Sequence, residues 1–393
     1  MSSDSVVIVA AKRTPIGAFQ GVLSGANATQ LGSAAITGAL AGSGVDPADI
    51  DRVIMGCVLP AGLGQAPARQ AALGAGVPEG VPCLTINKMC GSGMEAIILA
   101  HDMIKAGSAN VVVAGGLESM SNAPYLLPKA RSGYRMGHQE VLDHMFYDGL
   151  QDPFQGKMMG HFAQATADKY GFSREEMDAF ATESARRAQK AVADGTFAGE
   201  IAPVTIASRR GETVVDTDET PGTVSVDKIP TLRPAFAKDG TVTAATSSSI
   251  SDGAAAVVMM PAAEAEKRGL TPIARIVGHS AFAHDPAWFT TAPVFALQKL
   301  QKKLGWTPDD VDLYEINEAF AVVTMAAMKD VGIGHDKVNV NGGACALGHP
   351  IGATGCRISV TLLHELAARG LTRGIATQCI GGGEATAVAY EII

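Results

Sequence analysis

The chain has 393 residues, enough for two or three domains. Apolar residues make up 47% and charged ones only 18%, a balance that excludes intrinsic disorder and predicts an extensive interior or interface. With 31 Lys and Arg against 39 Asp and Glu, the net charge of −8 opposes non-specific binding to nucleic acid or anionic lipid. Any anionic ligand has to meet a local basic patch.

In chain order, the first apolar stretch, Val6–Ala11, stops at Lys12 and Arg13 and does not read as a signal peptide. No run approaches the roughly 18 apolar residues of a membrane span. The C-terminal Tyr-Glu-Ile-Ile matches no retention or peroxisomal address, so a cytoplasmic location is expected. Cys57, Cys83, Cys90, Cys345, Cys356 and Cys379 contain no Cys-x-x-Cys pair. Disulfides and a structural metal are therefore not expected.

An internal repeat is the most informative pattern. Gly44-Val-Asp-Pro-Ala-Asp-Ile-Asp51 reappears as Gly305-Trp-Thr-Pro-Asp-Asp-Val-Asp312, each followed by a strand-like run. A similar distance beyond each copy lies a Gly-rich loop leading into a helical pattern: Asn87-Lys-Met-Cys-Gly-Ser-Gly93 in the first, Ala346-Leu-Gly-His-Pro-Ile-Gly352 in the second. Further on come the strand-like runs Ala109–Gly116 and Gly374–Gly383. The chain reads as two related α/β halves: residues 1–270, including an inserted loop domain at about 121–250, and residues 271–393. Inside the insertion, Ser173 and Glu176 have the spacing of a helix capping box.

Three reactive side chains sit on Gly-rich loops. Cys90 falls between a predicted strand and a predicted helix, where free N–H groups and the helix dipole favour a thiolate. His349 occupies the equivalent turn of the second half, so a twofold arrangement would set a general base beside the thiol. Cys379 ends a strand before three glycines whose N–H groups suit an oxyanion. Asn317 and Glu318 could orient a water or supply a hydrogen bond. Gly91–Ala96 only loosely resembles a dinucleotide turn. The Met158-Met159 and Met259-Met260 pairs read as core, and His138, His144 and His161 are too irregularly spaced for metal ligation.

At these residues the chain resembles the thiolase family, in particular its biosynthetic-type members, from end to end. The matching motifs are Arg13-Thr-Pro-Ile-Gly17, Asn87–Gly93, Gly116-Leu-Glu-Ser-Met-Ser121, Asn317-Glu-Ala-Phe-Ala321, the glycine loop around His349, and Cys379-Ile-Gly-Gly-Gly383. The resemblance implies an α/β fold of duplicated halves in α-β-α-β-α layers. It implies a ping-pong condensation of two acetyl-CoA to acetoacetyl-CoA plus CoA, and the reverse thiolysis. Cys90 would carry the acyl group, His349 would activate it, and Cys379 would handle the proton on the acetyl carbon. One oxyanion site would use His349 and a water on Asn317, the other the N–H groups of Cys90 and Gly381. Ser248 would lie near the pantetheine and Leu150, Met159, Phe236, Phe289 and Phe320 around the acyl end. CoA thioesters would be substrates, with no permanently bound cofactor and no metal. The segment running from Arg131–Gly137 through Asp148–Leu150 resembles the family's tetramerisation-loop region, implying a homotetramer, with a dimer as the alternative.

Several positions depart from the family pattern. Met158 replaces a histidine, Phe289 a methionine, Thr246-Ser-Ser-Ser249 the commoner Asn-Ala-Ser-Gly, and Glu384 a methionine, while Thr220–Asp227 lacks an arginine that helps hold adenine. The first two predict tolerance of chains longer than acetoacetyl, as in a broader 3-ketoacyl-CoA thiolase. A ketoacyl synthase is the nearest rival within the fold, and a non-catalytic acyl-CoA binding protein a rival from another class. Cys379 argues against the first and the intact Cys/His/Cys set against the second.

Overall fold

A computed structural model describes residues 5–209 and 211–393. Its first strand, β1 (Val6–Arg13), is buried on both faces, as an unbroken apolar run has to be. Alternation divides its side chains, so that Val7 and Val9 join one hydrophobic cluster while Val6 and Ile8 join another on the opposite face. Helix α1 (Ala28–Ser43) covers the first of these faces. Asn27 caps it by accepting from the Gln30 N–H, Gln30 returns the bond, and Gly44 at φ +69° ends it.

The chain continues through β2 (Arg52–Gly56), α2 (Pro67–Gly74), β3 (Cys83–Ile86), α3 (Ser92–Lys105) and β4 (Val112–Ser119). Helices α4 (Met159–Tyr170) and α5 (Arg174–Ala193) follow within the intervening segment, and β5 (Ser251–Pro261) returns to the sheet. β2 is parallel to β3 and β4, and β5 runs antiparallel between β4 and β1, giving the order β3-β2-β4-β5-β1. The second half comprises β6 (Ala274–Ala283), α6 (Ala292–Leu304), β7 (Leu313–Ile316), α7 (Ala321–Val331), α8 (Thr354–Arg369), β8 (Arg373–Ile380) and β9 (Glu384–Ile392). Its order, β7-β8-β9-β6, repeats the first, and Tyr314 bridges in parallel to Val338 where the first half pairs β2 with β3.

The repeat read from the sequence is therefore a repeat of sheet order, and it extends to single hydrogen bonds. Asp51 accepts from the Asn110 and Val111 N–H groups, both at 2.8 Å. Asp312 accepts from Thr372 and Arg373 at 2.9 and 2.8 Å. Among the described residues the half-sheets meet edge to edge through two residue pairs, Val7 with Arg275 and Ile8 with Ala274.

Helices α3 and α8 share one apolar cluster with Val112 and Met259 of the first half and Ile276, Ala376 and Val388 of the second. They form the middle layer. α1 and α2 cover the outer face of the first half-sheet and α6 that of the second, which completes the expected α-β-α-β-α layering. Because α3 begins just after Cys90 and α8 just after His349, the duplication carries both residues to one end of the middle layer.

In the intervening segment, α5 starts with the Ser173–Glu176 capping box that the sequence predicts. Arg13, fully buried, ties this segment to β1 by binding both oxygens of Asp218 at 2.7 and 2.9 Å and also Glu200. All six cysteines are free, and no helix among the described residues is long and apolar enough to cross a membrane.

Candidate active site

Cys90 is presented by a tight turn between β3 and α3. Gly91 and Ser92 donate back to the carbonyls of Lys88 and Met89, both at 3.0 Å, while Asn87 accepts from the Met89 N–H at 2.8 Å. Met89 sits at φ +47°, a left-handed conformation unfavourable for a side chain of its size. Such strain persists only where surrounding bonds impose it. The N–H groups of Gly381 and of Cys90 itself point at the sulfur and favour the thiolate. Burial outweighs them, and with a smaller push from Glu118 the thiol rises to about 11. The sequence-based expectation of a thiol lowered by the helix terminus is thus corrected: the terminus is present, but the enclosure of the sulfur dominates.

His349 follows Gly348, whose φ of +112° and lack of a Cβ let the loop pass Ser251. Its Nδ1 lies 2.6 Å from Thr354 Oγ1, and that hydroxyl donates to the Pro350 carbonyl at 2.9 Å. Since the hydroxyl proton is spent on an acceptor-only carbonyl, Nδ1 must carry the imidazole proton. Nε2 is left with a bare lone pair, buried and without a hydrogen bond to any described residue. Burial, reinforced by the Arg357 charge, drives the imidazole down to about 3. The resting pair is a neutral thiol and a neutral base.

Cys379, at the end of β8, is fully buried against Met159, Phe236, Phe289 and Phe320. Burial and the neighbouring Cys90 raise its thiol well above the ordinary value. Beyond it, Gly382 and Gly383 at φ +96° and +91° turn the chain into β9. Asn317 is buried with both side-chain polar atoms unpaired among the described residues. Glu318 instead faces its own cage, accepting from Ser184, Asn339 and the Cys345 N–H at 2.8, 2.9 and 3.1 Å. It braces the loop before His349.

A cavity of about 310 Å³ brings most of these groups together. Cys90, His349 and Gly381 contribute to its lining, with Ser248 as a polar wall. Leu150, Met159, Phe236, Phe289 and Phe320 supply apolar walls, so every expected acyl-end residue lies on the one cavity. Cys379 and Asn317 do not line it, although Cys379 packs directly behind its aromatic wall. Phe146, Ile250 and Ile351 line it as well and carried no signal in the sequence. Met259 and Met260 are core as expected, whereas Met158 and Met159 belong to the cavity. Glu118 and Thr354 also went unread, although both sit inside motifs that matched. His101, Asp102 and His279 form a hydrogen-bonded surface group that chain spacing could not reveal.

A buried thiol, a bare imidazole nitrogen and aimed backbone N–H groups around an apolar cavity, carried on a duplicated five-layer α/β scaffold, define a thiol-based acyl-transfer class of protein. Residues 6–263 match the thiolase N-terminal domain and residues 270–392 the thiolase C-terminal domain. The chain belongs to the thiolase family. It is 50% identical over 386 residues to an acetyl-CoA acetyltransferase of Pseudomonas aeruginosa, covering 98% of each chain. A Schizosaccharomyces pombe acetyl-CoA acetyltransferase is 46% identical over the whole of both chains. The crystal structure of the Bacillus anthracis acetyl-CoA acetyltransferase superposes with a TM-score of 0.97 at 43% identity, covering 99% of each chain.

Proposed function

We propose that Cys90 is the nucleophile, His349 its base and Cys379 the acid/base of a ping-pong reaction. The chain is a CoA-dependent acyltransferase that joins two acetyl-CoA into acetoacetyl-CoA plus CoA and runs the reverse thiolysis. In the first half-reaction His349 Nε2 takes the Cys90 proton as the sulfur attacks the thioester carbon. The bond to CoA breaks, the CoA sulfur receives that proton, and acetyl stays on Cys90. A thiol at about 11 facing an imidazole at about 3 does not ionise at rest, so proton transfer has to accompany attack. In the second half-reaction Cys379 passes its own proton to His349 and takes the methyl proton of another acetyl-CoA, the carbon attacks the acyl carbonyl, and His349 returns its proton to Cys90 as that sulfur leaves. A thiol held far above its usual value is, once ionised, a strong base for such a C–H proton.

Developing negative charge on the acyl-Cys90 oxygen is met by the N–H groups of Cys90 and Gly381, and that on the CoA thioester oxygen by His349 and a water on Asn317. The observation that carries this reading is the convergence of Cys90, His349 and Gly381 on one apolar cavity with Cys379 against its wall. Mass spectrometry after brief exposure to acetyl-CoA is expected to find an acetyl group on Cys90; label on another residue instead would overturn the assignment.

The longer-chain reading suggested by Met158 and Phe289 is not favoured. The relatives described above carry the acetyl-CoA acetyltransferase name, and the rings of Phe236, Phe289 and Phe320 pack edge to face across the acyl end. Thiolysis rates are therefore expected to fall as the 3-ketoacyl chain lengthens. CoA thioesters act as substrates rather than as a resident cofactor. Ser248 faces the pantetheine, the adenine is held without the family's arginine, and the location is cytoplasmic. We retain the division into 1–270 and 271–393 with an insertion at about 121–250, and a homotetramer built through the 131–150 region. In support, Met136 and Tyr147 there are 90% and 54% exposed.

A further inference from the structure

Glu118, at the end of β4, is completely buried and does not reach the cavity. Its Oε2 accepts from the Val58 N–H at 3.0 Å and the Gly352 N–H at 2.9 Å, and its Oε1 from the Leu59 N–H at 3.0 Å. The Cys57 thiol approaches Oε1 at 3.8 Å. These partners come from two distant segments. Gly352 lies three residues beyond His349. Cys57 donates to the Ile86 carbonyl at 2.9 Å and Val58 accepts from Asn87 at 3.4 Å, so residues 57–59 are joined to the turn that presents Cys90. Val58, Leu59 and Ile351 also share one apolar cluster with Met89 and Cys90.

We propose that Glu118 is the positioning residue that sets His349 against Cys90, its carboxylate being the common acceptor that joins residues 57–59, and through them the Cys90 turn, to the His349 loop. The inference rests on the roles assigned above to those two residues. Every hydrogen-bond partner of the side chain is a donor, and the carboxylate, the one acceptor-only group of this length, forms as pH rises through about 7. Glutamine would turn two N–H groups of its own into that cage. The fit leaves no slack: a Cβ on Gly352 would lie 2.6 Å from Glu118 Oε2, and one on Gly116 would collide with the Gly352 carbonyl. A negative charge here opposes formation of the Cys90 thiolate, so activation of the thiol is not what the carboxylate provides. Its contribution is geometric.

The test compares wild type, Glu118→Gln and Glu118→Asp, with Cys90→Ala as control. A misplaced catalytic pair is expected to cost Glu118→Gln about 100-fold in kcat for thiolysis. KM for acetoacetyl-CoA should stay within about threefold, because CoA is held elsewhere. Glu118→Asp, which keeps an acceptor, should recover part of the rate. Wild-type kcat in a folded Glu118→Gln, or a rate loss matched by a comparable rise in KM and not relieved in Glu118→Asp, would overturn the inference. If Glu118→Gln does not fold, Glu118→Asp decides alone: a lower kcat at unchanged KM supports the clip, and wild-type kcat removes it. An inactive wild type would instead overturn the functional reading itself.

Discussion

At the scale of single residues, the site depends on which protons are fixed before substrate arrives. Thr354 accepts from His349 only because its own proton goes to Pro350, so one hydroxyl sets the tautomer that leaves Nε2 bare. Thr354→Val keeps the shape and removes that acceptor. Its kcat is expected to fall about 10–100-fold with KM little changed, whereas Thr354→Ser should keep most of the activity; a fully active valine variant would mean that the tautomer is set in another way. Cys379 separates the half-reactions. Cys379→Ala should still acquire acetyl on Cys90 but lose condensation, and failure to acylate would contradict the division of roles.

At the scale of elements, Asp51 and Asp312 make the same pair of bonds in the two halves, each stapling the start of one strand to the start of its neighbour. Asp51→Ala and Asp312→Ala are each expected to cost about 1–2 kcal/mol in chemical denaturation. The two losses should add, since the sites share no partner. Strongly unequal losses would show the repeat to be formal rather than energetic. This repeat was legible because Gly, Pro and Asp act locally, through turns and short-range hydrogen bonds, and so leave a spacing that can be read. The Cys90 turn and the α5 cap were legible for the same reason. Glu118 was not: its partners are backbone N–H groups of distant segments, which any sequence supplies. Nor was the direction of the Cys90 shift, because helix position is written in the chain and desolvation is not.

At the scale of the whole molecule, the buried ionisable groups make stability depend on pH in a direction that can be worked out. Burial raises Glu118 to about 7, and Glu315 to about 8 despite the Arg357 charge beside it, from an ordinary 4.5. Between the ordinary and the raised value the folded chain holds protons that the unfolded chain has released. The stability these carboxyls allow is thus fully present below about pH 4.5 and is lost as pH rises through 7 and 8. His349 acts in the opposite sense. Its folded value of about 3 against an ordinary 6.5 makes the unfolded chain the better proton binder, so stability rises with pH across that interval and then levels off. The two effects oppose each other up to about pH 6.5, and above it only the carboxyl effect remains. Unfolding free energy is therefore expected to drop by roughly 2–3 kcal/mol from pH 6.5 to 8.5, most of it from Glu315, at 1.36 kcal/mol per unit of pKa displacement. Glu315→Gln isolates the effect. It removes the titrating carboxyl, which lies 3.6 Å from Arg357, so its slope over this interval should be flatter than that of the wild type. Thermal unfolding at the two pH values measures both slopes, and a steeper slope in the variant, or a wild type more stable at pH 8.5, would mean that Glu315 is already ionised at neutral pH.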